Sequence, residues 1–345
     1  MTVRDALVGR DYIETLDWTV EEIDEALGLA EDLKAGFRAG EPHRLLSDRT
    51  LFMLFLDKST RTRNAFEAGM TQLGGHAHYL DAEKTQVAHG ESPKDMGIIL
   101  GRYGHGIAIR HDLVPGEGNA YMREVARWAD VPVINLQCDV DHPTQTLADL
   151  MTLREQRGAD LRGLKVAVSW AYAPSYAKPL SVPQGLLTLL PRFGIDVVLA
   201  HPPGFDLMPD VVKRAEEAAS DGGGSIALTD DMDSAFEGAD VVYPKSWGRL
   251  DLFTDEQAAL ADAARYTDWI CDARRMGIAR PEALYMHCLP ADRGTEVTDE
   301  VIDGPHSVVY DEAENRLHTG KAVMALTMSG PRAELTRRSG RRPSG

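Results

Sequence analysis

The chain has 345 residues, 43% apolar content and a formal net charge of −17, which suits two domains of ordinary size, each with its own core. That charge excludes a nucleic-acid binder and a protein held on anionic membranes, both of which need positive fields, but it leaves room for a locally positive pocket. Cys138, Cys271 and Cys288 are odd in number and far apart, which excludes a disulfide framework, and no charged-then-apolar leader or run of transmembrane length occurs, so the expectation is a cytoplasmic protein.

Thr19-Val20-Glu21-Glu22 is a capping box, and the spacing of Val20, Ile23, Leu27, Ala30 and Leu33 predicts an amphipathic helix ending at Gly36. The apolar run 51–56 predicts a buried strand, and a helical pattern follows from Thr62 to about Leu73. Ser59-Thr60-Arg61-Thr62-Arg63 therefore sits at a strand-to-helix turn. Free N–H groups, the positive end of the helix dipole, hydroxyls and two guanidiniums meet there, which is a pocket for a phosphate dianion; the plainer alternative is a polar cap with two surface arginines. A strand at 77–80, a polar loop at 81–92, a helix at 94–102, a strand at 106–110, a loop with Gly116 and Gly118, a helix at 120–128, a strand at 131–136 and a helix from Pro143 to about Glu155 come next. This alternation predicts a parallel sheet with helices on both faces.

The Gly/Asp-rich break Gly158–Gly163 reads as the domain boundary, giving domains 1–157 and 158–311, with a helix 312–330 returning to the first and a basic tail 331–345. The second half repeats the rhythm: strands at 164–169, 196–200, 240–243, 284–287 and 307–309, with helices between, including 208–220. The fold class is α/β with two doubly wound parallel sheets. Such sheets bind ligands beyond the carboxyl ends of their strands, and a cleft between the two would collect the polar residues found there.

Those residues carry open readings when taken singly. Arg110 ends an apolar strand and is either an anion ligand or a solvated strand end. His142-Pro143-Thr144-Gln145 opens a helix, with Pro143 suited to its first position; His142 is a donor to a carbonyl or a structural histidine. Cys288, in Tyr285-Met286-His287-Cys288-Leu289-Pro290, is a nucleophile, a buried thiol or a pocket wall, and His287 alternates to the other face of the strand. Lys178, Lys245 and Arg316 are carboxylate or phosphate ligands, or surface charges. The Cys138–His142 stretch has metal-ligand types in too crowded a spacing, so no metal is expected. Gly116-x-Gly118 lacks the third glycine of a dinucleotide fingerprint, which argues against a nicotinamide enzyme.

In order along the chain, Ser59-Thr60-Arg61-Thr62-Arg63, His142-Pro143-Thr144-Gln145, His287-Cys288-Leu289-Pro290 and Glu314-Asn315-Arg316 resemble the aspartate/ornithine carbamoyltransferase family over nearly the whole length. The resemblance implies carbamoyl transfer between carbamoyl phosphate and an amino-acid-like acceptor, without cofactor, metal or covalent intermediate. It implies that Ser59, Thr60, Arg61 and Thr62 hold the phosphate, Arg110 bridges phosphate and carbonyl, and His142 donates to the carbonyl oxygen. Gln145 and the backbone near Cys288 and Leu289 would hold the carbamoyl NH2, and Arg316 would complete the anion site. Gln86 or His89 would reach a neighbouring subunit's site in a homotrimer.

The second half departs from common ornithine enzymes. Lys245-Ser246-Trp247-Gly248 stands where a Ser-Met-Gly is usual, and the proline-rich stretch from Trp170 to Gln184 is similar to the loop of the knotted transcarbamylases, including those acting on N-acylated ornithine and a subgroup linked to ureido/diaminopropionate catabolism. Lys178, Lys245, Ser246, Trp247 and Cys288 are the implied acceptor side. A plain ornithine enzyme and a non-catalytic carbamoyl-phosphate-binding homologue are the alternatives.

Overall fold

The computed structural model describes residues 2–112, 114–176, 178–252 and 255–330. The predicted basic tail lies outside them. The chain forms two compact units: unit 1 holds the chain up to Asp112, Gly116–Ala148 and the chain from Glu314, and unit 2 holds Asp149–Ala313 with the three residues before Gly116. Both divisions fall inside helices, Pro143–Arg157 and Val309–Met328, while the Gly158–Gly163 break lies within unit 2.

Unit 1 is built on four parallel strands, β1 (Thr50–Phe55), β2 (His76–Asp81), β3 (Gly106–His111) and β4 (Val133–Cys138), in the order β2-β1-β3-β4. Helices Arg61–Gln72, Pro93–Tyr103 and Gly118–Trp128 make the crossovers. One core forms where Met96, Leu100, Met122 and Val125 meet Leu54, Ile107, Ile109 and Val133 of the sheet. Each such side chain taken from water contributes roughly 1.5–3 kcal/mol. All of β4 is buried although it ends the sheet, because Tyr12 covers its free edge: Tyr12 N donates to Val133 O and Asn135 N to Tyr12 O. The capping box at Thr19–Glu22 is present, but its helix runs Val20–Arg38, with Gly36 inside it rather than ending it.

Unit 2 has β5 (Lys165–Trp170), β6 (Asp196–Ala200), β7 (Ser225–Thr229), β8 (Val241–Lys245) and β9 (Leu284–Tyr285), all parallel in the order β7-β6-β5-β8-β9. The expected strand at 307–309 is not one. Ser307 makes a single bridge to Tyr285, and Val309 already begins the last helix. The cause is the shortness of β9: the chain turns away after Tyr285, with Leu289 at φ +55, and leaves no ladder to extend. In each sheet the chain starts in the middle, builds to one side, then reverses. The reversals lie between β1 and β3 and between β5 and β8, the places where open α/β sheets bind ligands.

Candidate active site

In unit 1 the ends of β1 and β3 are tied by Leu56 N donating to Arg110 O, 2.9 Å. Half-buried Ser59 and exposed Thr60 follow β1, and the helix starts at Arg61. Thr60 occupies the cap position without a side-chain cap hydrogen bond, and no acidic residue stands in the first turn. An N-terminus lacking both cap and counter-charge keeps its positive end for a ligand. Buried Thr62 accepts a hydrogen bond from Arg316 Nη2 through its hydroxyl, and the same guanidinium nitrogen lies 3.4 Å from His142 Nε2. Gln145, fully buried one turn into the following helix, donates its N–H to His142 O at 2.9 Å. Thr62, His142 and Arg316 are thus one buried constellation drawn from three separate segments, with Gln145 in the first turn of the helix that follows His142. Their packing needs the last helix to return to unit 1.

Arg110 is not a solvated strand end. The β3–β4 register shifts between Ile109 and Arg110, bringing Arg110 opposite Gln137, and its Nη2 donates to Asp112 Oδ2 at 2.8 Å. Asp112 N in turn donates to Asp57 Oδ2 at 2.8 Å. Burial, opposed by Arg110 and reinforced by Asp57, pushes the Asp112 carboxyl up to about 7. Burial acts on Asp57 too, but the nearby His111 imidazole and a hydrogen bond from the Asp112 backbone outweigh it and hold Asp57 below the usual carboxylate range. Asp57 and Asp112 had no signal in the sequence beyond being two more acids in an acidic chain.

One motif residue is spent otherwise. Arg63 lies flat on Tyr79, 3.6 Å from the ring centroid, and its Nε donates to Glu67. The second guanidinium of the expected phosphate pocket is therefore structural. Gln86 begins an exposed 3-10 turn, Gln86–His89.

Unit 2 brings two of the implied acceptor residues, Lys178 and Ser246, onto a carboxylate that sequence reading missed, Glu296. It is completely buried. Its Oε1 accepts from Ser246 N at 2.7 Å and faces His287 Nε2 at 3.6 Å; its Oε2 accepts from Asp292 N at 2.6 Å and from Lys178 Nζ. Lys178 also reaches Asp292 Oδ1 at 3.2 Å. Burial disfavours both charges, yet the pairing prevails: Glu296 is held well below the usual carboxylate range and Lys178 above the usual lysine range. Lys178 is thus already neutralised inside the protein. Lys245 Nζ donates to Ser246 O at 2.7 Å. Trp247 is buried, its indole N–H donating to Phe205 O at 2.8 Å, while Trp170 donates to Trp247 O at 2.9 Å. The Trp247 ring lies edge-on to His201 with centroids 6.4 Å apart, and Trp170 packs on Phe205 at 4.6 Å.

His287 accepts from Leu289 N through Nδ1 at 2.8 Å and turns Nε2 toward Glu296. Burial lowers its pKa, against the pull of Glu296. A ring committed in this way is no base for Cys288, and the thiol is free and buried, which speaks against the nucleophile. Among the described residues no group of three His, Cys, Asp or Glu could hold a metal ion, and no helix is long and apolar enough to cross a membrane.

Two families match the chain: "Aspartate/ornithine carbamoyltransferase, carbamoyl-P binding domain" over residues 10–155 and "Aspartate/ornithine carbamoyltransferase, Asp/Orn binding domain" over 180–327. The chain is 40% identical to the putative carbamoyltransferase YgeW of Escherichia coli K12, covering 88% of this chain and 86% of that one. It is 40% identical to the ornithine carbamoyltransferase of Thermococcus kodakarensis, covering 94% and 98%. Among solved structures, acetylornithine transcarbamylase complexed with acetylcitrulline has a TM-score of 0.86 at 34% identity, over 93% of this chain and 100% of that one. The ornithine carbamoyltransferase from Pyrococcus furiosus has 0.85 at 40%, over 94% and 99%. The chain belongs to the aspartate/ornithine carbamoyltransferase family, with a carbamoyl-phosphate-binding domain followed by an acceptor-binding domain, and the reaction it serves is carbamoyl transfer.

Proposed function

We propose that this enzyme moves the carbamoyl group between carbamoyl phosphate and an amino or ureido nitrogen of a small amino-acid-like acceptor other than plain ornithine, in the manner of the knotted transcarbamylases. Such transfer has three needs. The leaving phosphate must be neutralised, the carbonyl polarised as a tetrahedral oxyanion forms, and an uncharged nitrogen held in line. In this reading Ser59, Thr60, Arg61 and Thr62 cradle the phosphate at the helix N-terminus, and Arg110 spans phosphate and carbonyl. His142 donates to the carbonyl oxygen, Gln145 and the Leu289 backbone hold the carbamoyl NH2, and Arg316 completes the anion site. The observation that carries it is the buried Thr62–Arg316–His142 contact set, which puts a guanidinium and an imidazole beside an uncapped helix start.

On the acceptor side the reading favours Lys245, which ends β8 and donates to Ser246 O, as the group that meets the acceptor's carboxylate, while Lys178 is held by Glu296 and Asp292. The buried Trp247, in a position where the resemblance places a methionine in ornithine enzymes, changes the shape of that side and so favours an acceptor other than plain ornithine, such as a ureidopropionate or an N-acylated ornithine. Arsenolysis of citrulline, N-acetylcitrulline and ureidopropionates tests this. Turnover of a ureidopropionate or of N-acetylcitrulline well above citrulline supports the reading. Preference for citrulline makes the protein an ornithine enzyme and overturns it.

A further inference from the structure

We propose that Glu296 is the positioning residue of the acceptor side, a single carboxylate that sets the geometry in which Lys245, Ser246 and the His287–Asp292 segment are presented. This rests on the acceptor-side reading above and goes beyond it, since Glu296 itself is placed too deep to touch an acceptor.

The argument is one of connectivity. Three stretches far apart in sequence must be held in register here: the proline-rich stretch with Lys178, the turn after β8 with Ser246, and the segment after β9 with His287 and Asp292. None of the three is a strand or helix at that point, so no ladder fixes them. Glu296 accepts from the backbone N–H of two of them and from the Lys178 ammonium of the third. Its remaining neighbour is the His287 ring, fixed from its other side by Leu289 N. A buried carboxylate with no water access is tolerated only when its lone pairs are filled, and those of Glu296 are filled by the very segments in question. Lys245 belongs to the same arrangement, because the carbonyl that its Nζ donates to is that of Ser246, the residue whose N–H is held by Glu296. Displacing Ser246 therefore re-aims the Lys245 ammonium.

Glu296→Gln keeps the shape and one acceptor oxygen but removes the charge that Lys178 and the two N–H groups share. The expected result is an acceptor KM raised roughly tenfold to hundredfold, the scale of a small misplacement of binding groups, with kcat changed much less and the KM for carbamoyl phosphate within about twofold. Glu296→Asp, which restores the charge on a shorter arm, recovers part of the loss. Hydrogen exchange on the same proteins gives a readout independent of turnover. The Ser246 and Asp292 amides lose protection in Glu296→Gln, while amides of β1 and β3 do not. Should Glu296→Gln destabilise the fold as a whole, Lys178→Met replaces it, removing one arm of the network while leaving the carboxylate with its two N–H donors. Equal rises in both KM values, or unchanged protection at Ser246 and Asp292, overturn the proposal. A wild-type protein that turns over citrulline best overturns the acceptor reading instead, and leaves the exchange result to decide the role of Glu296.

Discussion

Asp112 is a carboxyl whose ionisation is at odds with its place. The residue is 1% exposed, its backbone N–H donates to Asp57 Oδ2, and its carboxyl accepts the bond that aims Arg110. His111 lies between two carboxylates, 3.8 Å from Asp57 and 3.9 Å from Glu117. With its folded pKa raised to about 7, Asp112 holds a proton in the folded chain that the unfolded chain has already released above about pH 4. The folded state binds more protons across that window, so its share of stability is present at low pH and is lost as pH rises toward 7. Asp112→Asn removes this dependence. Chemical unfolding between pH 4 and 7 should show a slope shallower by about one proton, ~1.4 kcal/mol per pH unit at most, in the variant. Superimposable slopes would show that Asp112 stays ionised throughout. The residue scale also shows what sequence could reveal. Arg61, Arg110, His142, Gln145 and Arg316, each open to a plain structural reading when taken singly, were legible as candidates only through the order of their motifs along the chain. Asp112 and Glu296 were not, since nothing in the sequence separates a buried, ligand-aiming acid from the other acids among 54. Arg63 was misread for the opposite reason: its place in the motif hid Tyr79, a partner on the neighbouring strand.

At the scale of elements, the strands that were easy to see are those buried on both faces, such as β4 and β5. The strand at Ser225–Thr229 escaped because it is a sheet edge, mostly exposed, and offers neither an apolar run nor a clean alternation. The loop 112–118 was legible as a break but not for its purpose. Gly118 starts the helix Gly118–Trp128 against the end of β3, so close that an added Cβ would lie 1.9 Å from His111 O. That contact is with backbone and cannot be relieved by a side-chain shift. Gly118→Ala should therefore push the end of β3 away, costing about 1–3 kcal/mol, the range for overpacking, and raise the KM for carbamoyl phosphate because Arg110 is the residue before His111. Gly116→Ala has open space around its Cβ and meets only the strain of φ +87, about 1 kcal/mol. Thermal midpoints and donor KM for the two variants test this. If Gly116→Ala is the more damaging, the close approach at His111 is not what fixes the strand end.

For the whole molecule the open matter is whether the site is complete within one chain. The turn Gln86–His89 is exposed and displays Gln86 outward from unit 1. The proposal of a homotrimer makes this turn a contribution to a neighbour's donor site, a head-to-tail interface of the kind that closes into a ring. Subunit mixing gives a sharp test. His142→Ala removes the carbonyl donor from its own site, and Gln86→Ala removes the turn's contribution to the next site, so each homotrimer is strongly impaired. In a random trimer built from equal amounts of both, a shared site is intact when an unaltered His142 faces an unaltered Gln86 from the next subunit. That holds for about one site in four in a cyclic assembly. Mixing under conditions that exchange subunits should then restore about a quarter of wild-type activity. If Gln86 serves its own chain, no subunit carries both groups and mixing restores nothing. An affinity tag on one variant separates that outcome from a failure to exchange, because hybrid trimers bring the untagged variant down with the tagged one whereas unexchanged trimers do not.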